Sequence, residues 1–172
     1  MNNIILIGFM GSGKSSVGRR LAKKIKYHFC DTDELIEKEN QMKVQNIFST
    51  YGEEYFRKLE THLIQDLYGN LSNTVLSTGG GLPITEGNGE LLRRLGHVVY
   101  LKASKETLLS RLHGDSSRPL LAGDHVEERV QQLLDFRTPI YEKVAHFTVT
   151  TDRKMFYQII NEIIWLCKIK QK

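Results

Sequence analysis

An α/β domain built around a parallel sheet is what the sequence predicts, and three observations predict it. Short apolar runs, mostly rich in β-branched or aromatic residues, alternate with longer amphipathic segments. The runs lack a polar face, as expected of strands covered by helices on both sides. The first of them leads straight into "GFMGSGKSS", Gly8 to Ser16, a glycine-rich turn between a strand and a helix. The expected architecture is a three-layer α/β/α sandwich with a central five-stranded parallel sheet. The 172 residues suit a single domain spanning 1–172.

In chain order the strands are expected at "NIILIG" (Asn3–Gly8), "YHFCD" (Tyr27–Asp31), "TVLS" (Thr74–Ser77), "HVVYL" (His97–Leu101) and "HFTVT" (His146–Thr150). A helix runs from Lys14 to about Ile25. A second begins near Thr32 and carries Leu35 and Ile36 on one side, and a long third starts near Gly52. "SKETLLSRL" opens at Ser104, with Thr107 three residues on, an N-cap and half a capping box. "KMFYQIINEIIWL" puts Met155, Ile159, Ile163 and Leu166 on one face, read as core packing against the sheet. One stretch breaks the alternation. "HGDSSRPLLAGD", residues 113–124, has loop composition and unusual length, which suits a mobile lid.

Composition narrows the function. The net charge of +4 is modest and no basic stripe with interleaved aromatics appears, so nucleic acid is not an expected partner. No run approaches a membrane span and no secretory leader is visible, so the expected location is the cytoplasm. Cys30 and Cys167 sit in no CxxC pair and near no histidine cluster, which argues against a metal site or a disulfide.

Gly8, Gly13, Lys14 and Ser15 match G-x-x-x-x-G-K-[ST] with a strand before and a helix after. The glycines let backbone N–H groups turn inward around an anion, and the helix beginning at Lys14 adds its positive end. Lys14 supplies a mobile charge for the β- and γ-phosphates, and the Ser15 hydroxyl is a ligand for Mg²⁺. This is the P-loop NTPase arrangement. A GTP switch would also need an Asn-Lys-x-Asp motif, which is missing; "DLYG" (Asp66–Gly69) has a switch-like form but falls within a helical pattern.

A small-molecule kinase needs acids near the metal, an acceptor pocket and arginines. "CDTDELIE" sets Asp31 and Asp33 at the end of the second strand, where open α/β sheets bind ligands. One acid can cap the following helix, but capping does not need both. "STGGGLP" (Ser77–Pro83) removes three side chains in a row after the third strand, which suits close approach of a ligand to backbone. Arg57, Arg118 and Arg137 supply planar forks for carboxylate or phosphate.

Taken in register, "GFMGSGKSS", "DTDELIE", "IFSTYGEEYFRKLE", "STGGGLP", "SRPLL" and "FRTPIY" resemble the shikimate kinases, of the nucleoside-monophosphate-kinase-like P-loop group. The resemblance covers Gly8 to Tyr141. It implies an ATP-dependent transfer of the γ-phosphoryl group to the 3-hydroxyl of shikimate with Mg²⁺, by a monomer, in chorismate and aromatic amino acid biosynthesis. It also implies residue roles. Gly11, Ser12, Gly13, Lys14, Ser15 and Ser16 hold phosphates, and Ser15 with Asp31 serves the metal. Asp33 binds shikimate hydroxyls and orients the acceptor. Arg57 and Arg137 grip the carboxylate, with Glu60 orienting Arg57. Gly79, Gly80 and Gly81 line the pocket, and Phe48 and Phe56 form an apolar wall within a shikimate-binding helical region at 32–65. Arg118 comes from the lid onto the transferring phosphates, so the catalytic set is Lys14, Asp33 and Arg118. Arg111 stacks on adenine, with Arg153 in the neighbouring "TTDRK" loop. Ser16 and Asn46 depart from the family's usual residues at positions not expected to touch substrate. The alternatives are a gluconate-type sugar-acid kinase and a nucleotide-binding protein without phosphoryl transfer; Lys14, Asp33 and Arg118 argue against the latter.

Overall fold

The computed structural model describes residues 2–112 and 125–169. The 113–124 segment expected to form a lid, with Arg118, lies outside the described residues. The elements run β1 (Ile4–Ile7), α1 (Lys14–Ile25), β2 (His28–Asp31), α2 (Thr32–Asn40), α3 (Val44–Asp66), β3 (Thr74–Ser77), α4 (Asn88–Leu95), β4 (His97–Lys102), α5 (Lys105–Leu112), α6 (Val126–Val144), β5 (Phe147–Thr150) and α7 (Phe156–Leu166). The five strands form one parallel sheet in the order β2-β3-β1-β4-β5. Among the described residues no helix is long and apolar enough to cross a membrane.

The alternation of side chains along β1 divides the core into two layers. Ile4 and Leu6 join Val75, Val99, Leu101 and Val149 beneath α1 and α7. Ile5 and Ile7 join Leu76, Val98 and Tyr100 beneath helices of the opposite layer. Each fully buried isoleucine contributes about 1.5–3 kcal/mol by leaving water. The three inner strands are thus covered on both faces, as their composition predicts, while the edge strands β2 and β5 stay partly exposed. A third, smaller cluster holds α2 to α3 through Ile36, Ile47, Phe56 and Leu63. It lets this helical pair stand beside the carboxyl ends of the strands with a core of its own.

Three details differ from the sequence reading. The long helix begins at Val44, and Gly52 breaks it internally with φ 82 and ψ 172. The glycine does interrupt the helix, but Ile47 on one side and Phe56 on the other bury into the same cluster and keep both pieces helical. That helix ends at Asp66, so "DLYG" starts on its last residue and continues into a turn. In α7 the buried stripe is Ile159, Ile160, Ile163, Ile164 and Cys167, whereas Met155 is exposed at the N-cap.

Candidate active site

The loops leaving the carboxyl ends of β1, β2 and β3 converge on one region. After β1, Gly13 takes φ 95, a backbone state that side-chain-bearing residues rarely adopt, and turns the chain into α1. Lys14 folds back over this loop, and its ammonium donates to the carbonyls of Gly8 and Phe9, both at 2.9 Å. Ser15 Oγ donates to Asp31 Oδ2 at 2.8 Å and lies 3.2 Å from Ser77 Oγ. The other oxygen of Asp31 accepts from the Asp33 N–H at 3.1 Å and caps α2. One oxygen of Asp31 therefore fixes the helix, as the capping reading expects, and the other faces the P-loop serine. Ser12 is buried and is absent from the lining of the cavity over this loop.

Two cavities meet here. The first, about 640 Å³, runs from Gly11, Gly13 and the Lys14–Ser16 turn past Asp31 to Arg111. Arg111 Nη1 donates to the Gly11 carbonyl at 3.2 Å, and the far wall is Lys154, Met155 and Phe156. Arg153 is exposed, with φ 55, and is absent from that wall. Asp152 anchors the region by accepting from the N–H and Oγ of Ser104 at 3.0 Å each, while Ser104 Oγ accepts from Thr107 N–H at 3.3 Å, the expected cap of α5. Burial opposes ionisation of Asp152, but the bonds from Thr107 and Ser104 and the nearby Arg111 hold its carboxyl below the usual range.

The second cavity, about 470 Å³, lies between α2, α3 and α6. Met10, Asp33, Gly79 and Gly80 line both cavities, so Asp33 stands at their junction. Arg57 and Arg137 enter the second cavity from α3 and α6, and Phe48 and Phe56 form one wall with ring centroids 4.7 Å apart. Arg57 Nη1 donates to Glu60 at 2.6 Å and Nη2 to Glu53 at 2.8 Å. Burial pushes the Glu60 carboxyl up to about 7 against the pull of Arg57. Burial also works to lower the Arg57 guanidinium, yet Glu60 and Glu53 together hold it above its ordinary value. Arg137 is buried against Phe9, and its Nε has no hydrogen-bond partner among the described residues. Tyr141, one turn on, donates to the Gly80 carbonyl at 2.6 Å.

Gly79, Gly80 and Gly81 line the second cavity, as expected, and the run also serves the protein's own packing. A Cβ on Gly79 would sit 2.8 Å from both Asp33 Oδ1 and Glu60 Oε1, and one on Gly81 would collide with the Arg57 guanidinium. These glycines make room for the protein's own charged side chains. The sequence reading missed Met10, Glu53 and the Lys154–Phe156 wall. Glu53 had a signal, since it precedes Arg57 by four helical residues. For the Lys154–Phe156 wall the "TTDRK" loop, which ends at Lys154, gave the region, but Met155 and Phe156 had no signal, because their position depends on where β5 delivers the chain.

The sequence model of the Shikimate kinase family matches residues 10–168. A shikimate kinase of Sulfurihydrogenibium sp. is 44% identical over 172 residues, covering 100% of both chains. One from Persephonella marina is 43% identical, covering 95% of this chain and 98% of its own. Among solved structures, a shikimate kinase from Acinetobacter baumannii in complex with shikimate superposes with a TM-score of 0.91 at 37% identity, covering 96% of this chain and 92% of that one.

Proposed function

The chain belongs to the shikimate kinase family, and from that premise we propose that it moves the γ-phosphoryl group of ATP to the 3-hydroxyl of shikimate. The nucleotide occupies the cavity over Gly11–Ser16, with Lys14 exchanging its carbonyl partners for phosphate oxygens. Shikimate occupies the second cavity. The observation that carries this reading is the pair Arg57 and Arg137 around one cavity, with Arg137 buried and its Nε unsatisfied among the described residues. A buried guanidinium is costly without an anion, and a ligand carboxylate supplies one. Asp33, at the junction of the two cavities, accepts from the acceptor's hydroxyls and aims the reacting one at the phosphate. Because phosphoryl transfer is loose, this positioning matters more than proton removal. Phe48 and Phe56 receive the ring's apolar face.

Ser15 and Asp31 fit a Mg²⁺ ion. Their oxygens are hard donors at the phosphate end, and no group of three or more His, Cys, Asp or Glu makes a protein-only cage among the described residues. Mg²⁺ characteristically takes one or two protein oxygens and completes its shell with phosphates and water. When bound, it neutralises charge on the β- and γ-phosphates. Arg118 serves as the transition-state cation on the strength of "SRPLL" alone. A reducing cytoplasm suits the free thiols Cys30 and Cys167. We take the working unit to be a monomer.

The test is ADP release with ATP, Mg²⁺ and either shikimate or gluconate, with calorimetry of shikimate binding to Arg137→Lys. Turnover is expected with shikimate only. The lysine keeps the charge but loses the fork, so shikimate affinity is expected to fall roughly ten- to a hundred-fold while ATP binding is spared. Turnover on gluconate alone, or unchanged shikimate affinity in the variant, overturns the reading.

A further inference from the structure

Arg57 is not an open fork waiting for a ligand. Its inner nitrogen, Nη1, is held by buried Glu60, while Nε and Nη2 both converge on a single oxygen of Glu53, at 3.2 and 2.8 Å. That convergence occupies the Nε–Nη2 edge of the guanidinium, an edge that a planar carboxylate can take with two bonds, and Glu53 itself lines the cavity. The two acids differ in freedom. The Glu60 side chain is fully buried, whereas that of Glu53 is 56% exposed. Glu53 also follows directly on Gly52, where the helix is broken, so its side chain can turn to water without disturbing the cluster formed by Phe56 and Leu63. The neighbouring Glu54–Lys58 pair has the same helical spacing but projects into solvent, with the two side chains 86% and 66% exposed.

We propose that Glu53 is an internal carboxylate that occupies the outer edge of Arg57 in the ligand-free enzyme and is displaced by the acceptor's carboxylate, making it a determinant of acceptor affinity. The inference rests on the reading of Arg57 as part of the acceptor clamp. Exchange of one carboxylate for another leaves the guanidinium charged and partnered throughout, so the cavity never holds a bare cation facing Phe48 and Phe56. It also sets a threshold. An anion that reaches only Arg57 must displace Glu53 for no net gain in hydrogen bonds, whereas a ligand that engages Arg137 and Asp33 as well gains contacts that Glu53 cannot supply.

Calorimetric titration with shikimate of the parent, Glu53→Gln, Glu54→Gln, Arg57→Ala and the Glu53→Gln/Arg57→Ala double variant tests this, with steady-state kinetics beside it. Glu53→Gln is expected to tighten shikimate binding about three- to tenfold, the scale of one exposed ion pair with good geometry, with a matching fall in KM and little change in kcat. Glu54→Gln removes the same charge one residue away and is expected to change nothing. In the Arg57→Ala background the Glu53 substitution is expected to give no gain. Weakened or unchanged binding in Glu53→Gln, with binding lost in Arg57→Ala, overturns the role of Glu53 and leaves the clamp standing. A gain that persists without Arg57, or one matched by Glu54→Gln, also overturns it. Unchanged binding in Arg57→Ala removes the clamp itself.

Discussion

At the amino end of the sheet Asn3 closes its bonds inside the protein. Its amide donates to the carbonyls of Leu71 and Leu95, both at 2.9 Å, its side-chain oxygen accepts from the Thr74 N–H at 3.1 Å, and its backbone carbonyl accepts from the His97 N–H at 2.9 Å. Beside it, His146 Nδ1 accepts from the Val98 N–H at 3.0 Å, so an imidazole continues the ladder that β5 begins. At the carboxyl end, by contrast, Glu60 Oε1 and Arg137 Nε, both on residues that line the second cavity, are buried without hydrogen-bond partners among the described residues. Both ends are polar and both are packed. The difference teaches that polar capacity is closed where the fold must hold and kept open where a ligand is to supply the missing partners. Open capacity of this kind costs stability, as buried unpartnered groups do.

The sharpest way to break this contrast is Lys14→Met. Removing the loop's cation is expected to lower kcat by ~10²-fold or more, as when a preorganised electrostatic donor is lost, while the thermal midpoint falls less than in Asn3→Ala, because the Gly8 and Phe9 carbonyls lose a charged donor that is itself costly to bury. A variant that keeps parental turnover, or one that unfolds, would mean that the two ends are not so divided. The converse is Asn3→Ala. Leaving the Thr74 N–H and two carbonyls unpaired is expected to cost about 2–3 kcal/mol in urea unfolding, with kcat and both KM values unchanged in the folded protein. A loss of activity without a loss of stability would sink that assignment.

The two ends also titrate in opposite senses. Burial raises the Glu60 carboxyl in the folded protein from its ordinary 4.5 to about 7. Within that window the native state keeps a proton that the unfolded chain has released, so this group makes stability fall as pH rises through it and stay level above. Glu60→Gln is expected to remove that slope, measured as the difference in unfolding free energy between about pH 5 and about pH 8. His146 works the other way and has the smallest effect. Partial burial, with the charges of Arg93 and His97, lowers its pKa beneath the ordinary 6.5. Its contribution is present above that value and is lost as pH falls through the folded pKa, when protonation removes the acceptor for Val98 N–H. His146→Asn, which keeps an acceptor but cannot titrate, is expected to flatten the acid limb of the melting curve slightly; an unaltered limb would remove His146 from it.

What was legible in the sequence were requirements met locally. The turn through Gly13, the charge of Lys14 and the hydroxyl of Ser15 depend on neighbours a few residues away, and so does the cap that Ser104 makes with Thr107. The inner strands β1, β3 and β4 were legible because burial on two faces leaves no polar alternation, whereas β2 and β5, at the sheet edges, are partly exposed. What was not legible depended on distant packing. Gly52 reads as a helix start because glycine breaks helices, but the clustering of Ile47 with Phe56 makes it a joint within one. Met155 fits the helical period of α7, yet the helix begins after it and the buried stripe turns towards Ile160 and Ile164. Gly79 and Gly81 read as the wall of a ligand pocket, which they are, but nothing in the sequence says that Asp33, Glu60 and Arg57 will also arrive against them from other elements.

Met10, Asp33, Gly79 and Gly80 belong to the walls of both cavities, and that common wall binds the two sites into one thermodynamic cycle. A molecule that shifts Asp33 or the Gly79–Gly80 backbone from one side alters the surface met by a molecule on the other. Whatever factor the first occupant applies to the affinity of the second, the second must return to the first, because the cycle closes whichever arrives earlier. Cooperativity between donor and acceptor would then need no distant relay, and an inhibitor built for one cavity would have a potency that depends on the concentration of the other cavity's ligand.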